Sequence, residues 1–199
     1  MALLYDLHVH TSNYSPCGRS SADEMCRKAI AFGLTGIALT EHDLWWPEVD
    51  FYELQAKYPD LIIFRGVEYA CLDDHFLVFL PEPNYGTDVR FRNISELVSR
   101  VHDLSGIVIW AHPFRYDRSI PDWLQDANLD GMEVDSNNMD TRAKCLALEV
   151  AKDRGYKVFQ NSDAHIVDTL GRYYNDIPVL LNNVKKLISY TFHGHKLRF

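Results

Sequence analysis

The sequence predicts an α/β domain built on a parallel sheet or a barrel. Two observations lead there. Short, nearly continuous apolar runs alternate with capped helical patterns, and histidines and carboxylates recur at the ends of those runs. The strand candidates are residues 3–9, 36–40, 61–67, 76–80, 107–111, 131–134, 158–160 and 177–181. Most are β-branched or bulky, as strands covered on both faces should be.

The helices follow from their caps. Ser21-Ala22-Asp23-Glu24 is a capping box, Met25, Ala29 and Ile30 supply one apolar face, and Gly33 is the expected stop. Residues 93–104 repeat the logic, with Leu97, Val98, Val101 and Leu104 on one side and Gly106 beyond the end. Residues 140–154 form a third helix, closed by Gly155. No internal repeat, low-complexity segment or linker interrupts the 199 residues, so one domain over 1–199 is expected.

Composition narrows the function classes. With 47% hydrophobic residues, extended disorder is not expected. A formal charge of −8 argues against a general nucleic-acid binder but suits cations, which bring positive charge to the site themselves. The first residues carry no basic region, so a signal peptide is not expected, and no apolar run reaches membrane-spanning length. Cys17, Cys26, Cys71 and Cys145 are scattered without a C-x-x-C pair, which reads as a reduced, cytoplasmic protein. Oligomeric state is not legible.

The placement of the histidines carries the functional signal. His8 and His10 stand at the end of the first run, His42 after the second, Glu68 after the third and His112 after residues 107–111; Asp163 and His165 follow residues 158–160. In a parallel barrel the C-terminal strand ends converge on one face, where active sites are built. His75 opens its run instead, but it lies too near Glu68 for a parallel crossover; a hairpin return would bring it to the same face. His8 and His10 are two apart, so both point one way from an extended chain, as do Asp163 and His165. Asp6 shares the parity of His8 and His10 and is a candidate to orient an imidazole from behind. A lone His-x-His means little; six of nine histidines at one predicted end, with two carboxylates, point to metal binding. His102 falls inside a helix and reads as a surface residue, and His193-Gly194-His195 sits in a basic tail with no strand before it.

Five stretches carry a family resemblance: Asp6-Leu7-His8-Val9-His10-Thr11, Thr40-Glu41-His42-Asp43, Gly66-Val67-Glu68, Ala111-His112-Pro113-Phe114-Arg115 and Asn161-Ser162-Asp163-Ala164-His165. In this order they resemble the PHP family, named for its polymerase and histidinol phosphatase members. The resemblance implies a distorted (β/α)7 TIM-like barrel, a centre of two or three divalent metal ions and, usually, phosphoester hydrolysis. It implies that His8, His10, Glu68 and Asp163 hold one ion, that Glu68 bridges to a second held by His75 and His112, and that His42 and His165 serve a third. The family often supplies that third ion with an Asp or His in the loop after His-x-His. Here the loop reads Tyr14-Ser15-Pro16-Cys17-Gly18, and Cys17 is either a thiolate ligand or a small loop residue.

Imidazole and carboxylate ligands suit Zn, Mn or Fe without choosing among them. Such a site would acidify a metal-bridging water into a hydroxide nucleophile, with Glu68 and Asp163 at its centre. Arg115 reads either as a bidentate phosphate contact or as a surface ion pair, and Arg19 is a weaker second candidate. Asp43 would orient a ligand or pass a proton to the leaving group. Selectivity would come from residues 44–50, where Trp45 and Trp46 either stack on a base or sugar or pack as lid or core, and from residues 81–92. The expected substrate is a small phosphomonoester. The alternatives are a nuclease or phosphodiesterase on nucleotides or short oligonucleotides, for which Lys185, Lys186, Lys196 and Arg198 offer a local basic patch, and a non-catalytic metal-binding module. The complete ligand set disfavours the last.

Overall fold

The computed structural model describes residues 2–82, 91 and 93–193, with the side chains of the last two left aside. Its elements are β1 (Leu4–Val9), α1 (Ala22–Phe32), β2 (Gly36–Leu39), α2 (Glu48–Lys57), β3 (Ile62–Arg65), β4 (Val67–Cys71), β5 (Asp74–Phe79), α3 (Ile94–Asp103), β6 (Ile107–Ala111), β7 (Gly131–Asp135), α4 (Thr141–Arg154), β8 (Lys157–Gln160), β9 (Asn175–Asp176) and α5 (Val184–His193).

The expected helices start and stop at their caps. The Ser21 side chain accepts from Glu24 N while Glu24 Oε2 accepts from Ser21 N at 2.7 Å, and Gly33 closes α1 at φ +91°. Asn93 accepts from Glu96 N at the head of α3, and Asp140 accepts from Ala143 N at the head of α4. Ala22, Met25, Cys26 and Ala29 are the buried face of α1; Ile30, expected there, is 45% exposed.

The strands form two sheets, in the orders β3-β2-β1-β9 and β4-β5-β6-β7-β8. The expected run 61–67 breaks at Gly66, and its two parts join different sheets. Only glycine fits at this corner, because a Cβ would meet the Phe79 ring at 2.6 Å. The next connection is the expected hairpin: β4 and β5 are antiparallel, with Ala70 opposite His75, and β5 then pairs antiparallel with β6. Of the distorted (β/α)7 barrel expected, the α/β architecture is present, as a mixed fold with two ladders and no closed barrel among the described residues. Closure fails where Gly66 diverts the chain and where β8 ends short of β1. Two isolated bridges, His42 with Glu68 and Val9 with Ala164, span those gaps.

Residues from both sheets, including Tyr5, Leu7, Phe64, Leu77, Ile109 and Phe159, share one apolar cluster between them. Helices α1 and α2 cover the outer face of the first sheet, and α3 and α4 that of the second. Residues 177–181 are not a strand. Ile177 and Leu181 are buried singly, tied by Ile177 N to Leu3 O and by Leu181 N to the Tyr5 hydroxyl. Among the described residues no helix is long and apolar enough to cross a membrane.

Candidate metal centre

The parity of β1 brings its two histidines to a single point. Their Nε2 atoms lie 3.0 Å apart. Two ring nitrogens facing each other at that distance need a proton or a cation between them. Glu68 Oε2 lies 3.3 Å from His8 Nε2 and 3.0 Å from His10 Nε2, and Asp163 Oδ1 lies 3.3 Å from both. Ligands at about 2.0–2.1 Å from a tetrahedral ion stand roughly 3.3 Å from one another, so these five separations already match edges of a coordination shell. Glu68 Oε2 and Asp163 Oδ1 are buried and receive no hydrogen bond of acceptable geometry. Buried carboxylate oxygens rarely stay unpaired, and these fit a metal.

The second oxygen of Glu68 faces other groups. Oε1 is 2.9 Å from both His75 Nδ1 and His112 Nε2, whereas Oε2 also lies 3.0 Å from His42 Nδ1. Hairpin β4–β5 puts His75 in reach, and the end of β6 supplies His112. A further group collects His10, Cys17, His42 and His165, whose donor atoms all lie within 4.8 Å of one another. His8, His10, Cys17, His42, Glu68, His75, His112, Asp163 and His165 thus each fall in at least one cluster able to hold an ion.

The His8 ring and the His112 backbone are held by a carboxylate that the sequence analysis did not single out. Glu133, fully buried in β7, accepts from His8 Nδ1 at 2.9 Å and from Asn161 Nδ2 at 2.7 Å on Oε1, and from His112 N at 2.7 Å on Oε2. Holding the His8 proton on Nδ1 leaves the Nε2 lone pair free to bind a metal. The only sequence signal was an acidic residue inside an apolar strand. Asp6 does not take the orienting role expected of it. It accepts from Ser162 N at 2.9 Å and Gly171 N at 3.1 Å, so it fixes the chain before Asp163 rather than a ring. Glu41 accepts from Thr11 N and from Trp46 Nε1, and its carboxylate stands 4.0 Å from His10 Nδ1.

Charge at the site is tightly coupled. Burial opposes ionisation of Glu68 and Asp163, but the surrounding imidazoles outweigh it and hold both carboxyls below their usual range. Burial likewise opposes a charged His8 or His10; the neighbouring carboxylates prevail, pushing His8 well above its ordinary value and His10 up to about 9. Protons thus balance the carboxylates wherever no cation does, and cation binding must displace them. The backbone is strained here as well. His112, Asp163, Asp43 and Phe114 have φ of +28°, +50°, +52° and +60°. Such conformations cost about 1–3 kcal/mol each and gather at functional sites.

A model of the PHP domain matches residues 6–180. The chain belongs to the PHP family. No curated protein sequence matches it significantly. Among solved structures, this PHP chain is similar to a protein from Bifidobacterium adolescentis provisionally assigned as a metal-dependent phosphoesterase, with 17% identity, TM-score 0.69 and coverage of 86% of this chain and 92% of that one. It is also similar to an amidohydrolase from Chromobacterium violaceum with bound sulfate and no metal (16%, TM-score 0.68, 94% and 96%). A third is PsfC from Pseudomonas syringae (16%, TM-score 0.70, 94% and 88%). At these identities the likeness is one of fold.

The remaining candidates of the PHP chain lie around the cluster. Arg115 is half-buried, with its guanidinium carbon 4.9 Å from the centre of the Tyr116 ring. It lines a cavity of about 230 Å³ with His75, His112, Asp74, Trp110 and Trp123. Asp43 is exposed, outside the four clusters, and its Oδ1 accepts from Ala70 N at 3.0 Å. Arg19 is exposed, and its backbone N–H donates to His165 O. Trp45 and Trp46 are buried, donating to the Tyr69 hydroxyl and Glu41 Oε1, so they are core rather than a stacking platform. His102 pairs with Asp130 at 2.9 Å and is half-buried, not a free surface residue. The His193 side chain, His195, Lys196, Arg198 and most of residues 81–92 lie outside the described residues.

Proposed function

We propose that this PHP chain is a metal-dependent phosphoesterase acting on a small phosphomonoester. The observation that carries the reading is the divided carboxylate of Glu68, with His8, His10 and His42 at one oxygen and His75 and His112 at the other. Two or three divalent ions of Zn, Mn or Fe, when bound, supply Lewis acidity and lower the pKa of water at the site. His8, His10, Glu68 and Asp163 would hold one ion, Glu68, His75 and His112 a second, and His42 and His165 a third. Glu133 keeps His8 in the tautomer that leaves Nε2 open.

Charge favours the monoester. Glu68 and Asp163 return fewer negative charges than two divalent ions bring, so the loaded centre attracts anions, and a dianionic phosphate gains more than a monoanionic diester. Arg115 lies on the wall that His75 and His112 share, where a planar fork of donors can meet phosphate oxygens and the cavity can receive the organic part. Asp43 braces the loop after His42 through Ala70 N, which supports an orienting role over proton transfer. A chain charge of −8 disfavours long polyanions. Four free cysteines suit a reducing compartment such as the cytoplasm.

The test is a side-by-side assay of the Mn- and Zn-loaded chain on sugar phosphates, nucleoside monophosphates, dinucleotides, short single strands and simple amides. Faster hydrolysis of a monoester is expected. Preferential cleavage of dinucleotides or strands would replace the reading with a nuclease, and turnover of amides alone with an amidohydrolase. Inactivity on every class with ions bound would favour a non-catalytic module.

A further inference from the structure

Cys17 is where this chain departs from its family's usual Asp or His, and its surroundings show what the thiol faces. Its donor atom groups with those of His10, His42 and His165, all within 4.8 Å of one another. The rings are already gathered: His10 stacks on His42 at 4.5 Å between centroids and on His165 at 4.4 Å. Glu68 Oε2, buried and without a proper hydrogen bond, lies 3.0 Å from His42 Nδ1 at the edge of this group. The loop is held from both sides. Ser15 N donates to Thr11 O, Gly18 N to Ser15 O and Arg19 N to His165 O. Gly18 packs so closely that a Cβ would lie 2.3 Å from the Thr11 carbonyl. Ser15 Oγ accepts from His42 N and lies 3.3 Å from His10 Nδ1, so the Cys17 loop is tied to the His10 ring and to the His42 backbone.

Resting on the metal-dependent reading above, we infer that Cys17, His42 and His165 form a thiolate–imidazole site that takes a soft or borderline cation, zinc in preference to manganese. Sulfur donors select such ions, whereas the carboxylate-bearing groups around Glu68 and Asp163 accept harder ones. The thiol gives up its proton to solvent on binding, as a metal-bound cysteine must. The chain would then carry ions of two selectivities in one centre, and its third ion would answer to zinc supply and to the state of one exposed thiol.

The experiment uses the full chain with Cys145→Ser, because Cys145 is the other exposed cysteine while Cys26 and Cys71 are buried. Cobalt(II) is titrated into the metal-free protein and followed by absorbance. Separately, alkylation of Cys17 by iodoacetamide is timed with zinc, with manganese and with neither. A near-ultraviolet sulfur-to-cobalt charge-transfer band is expected, together with protection of Cys17 by zinc but not by manganese. Cys17→Ser should lose the band and one zinc equivalent, and Cys17→Asp should lose the band yet keep a third ion with its preference moved toward manganese. Bound cobalt without the band, or equal alkylation rates in all three conditions, would overturn the assignment while leaving the metal-dependent reading intact. Failure to bind cobalt or zinc at all would overturn both.

Discussion

Glu133→Gln should damage the centre without touching a metal-facing atom. Glu133 is an acceptor on both oxygens. Oε1 takes the His8 Nδ1 and Asn161 Nδ2 protons, and Oε2 takes the His112 backbone N–H. Glutamine keeps the shape but has one acceptor and one donor. If its oxygen replaces Oε1, its NH₂ faces the His112 N–H, and two buried donors stand opposed in a loop already at φ +28°. Leaving buried donors unsatisfied costs about 1–3 kcal/mol of stability. If its oxygen replaces Oε2, the NH₂ faces His8 and pushes the imidazole proton to Nε2, removing the lone pair from the site. Losing such an orienting partner lowers metal affinity or activity about 10–100-fold, or roughly 1.4–2.7 kcal/mol. Denaturant unfolding of the metal-free protein reads the first outcome, and zinc affinity by chelator competition reads the second. A variant unchanged in both would refute the argument that Glu133 fixes the His8 tautomer.

Three further outcomes follow from the same geometry. Glu68→Gln should weaken the ions on both sides of the carboxylate together, each by more than the roughly 100-fold of an outer partner, so elemental analysis after dialysis should show joint loss; retention of two ions would remove the bridge assignment. Arg115→Ala should lower kcat/KM for a phosphomonoester by about 10²-fold with metal content unchanged, and an unaltered kcat/KM would return Arg115 to a surface role. Thiol titration of the folded, metal-free chain should label Cys17 and Cys145 first; Cys26, whose thiol burial pushes up to about 12, should react only on unfolding, and early labelling would contradict its packing under α1.

Much of this centre was legible because its residues are polar groups at the ends of apolar runs, and strand ends converge whatever the loops do. The hairpin that returns His75 to the site was legible from the short gap after Glu68. The helices with side-chain caps were equally clear. Helix α2 was not, because Pro47 gives it no side-chain cap and Val49 and Tyr52 leave it exposed apolar residues, with only Phe51 and Leu54 buried. The sheet break at Gly66 was hidden because apolar residues lie on both sides of the Arg65-Gly66 step, so that 61–67 reads as one run; the cause is the distant Phe79 ring. Glu133 and Asp6 were missed or misassigned for a related reason. Parity tells which way a carboxylate points, not which donors the rest of the chain brings to it, and Ser162 and Gly171 arrive from more than 150 residues away.

The two open ladders give the metal centre a mechanical meaning. His8, His10 and His42 belong to the β1–β2 side, whereas Glu68, His75, His112 and Asp163 belong to the other sheet and its ends, and at this rim the sheets are joined by two isolated bridges. An ion held between these residues acts as a rivet through both plates. Binding only to the folded form, it would add about 4 kcal/mol of stability when free metal exceeds its dissociation constant a thousandfold. On the proposed reading, losing the ion would withdraw that stability from the seam, so the metal-free chain should be cut faster than the metal-loaded one in limited proteolysis.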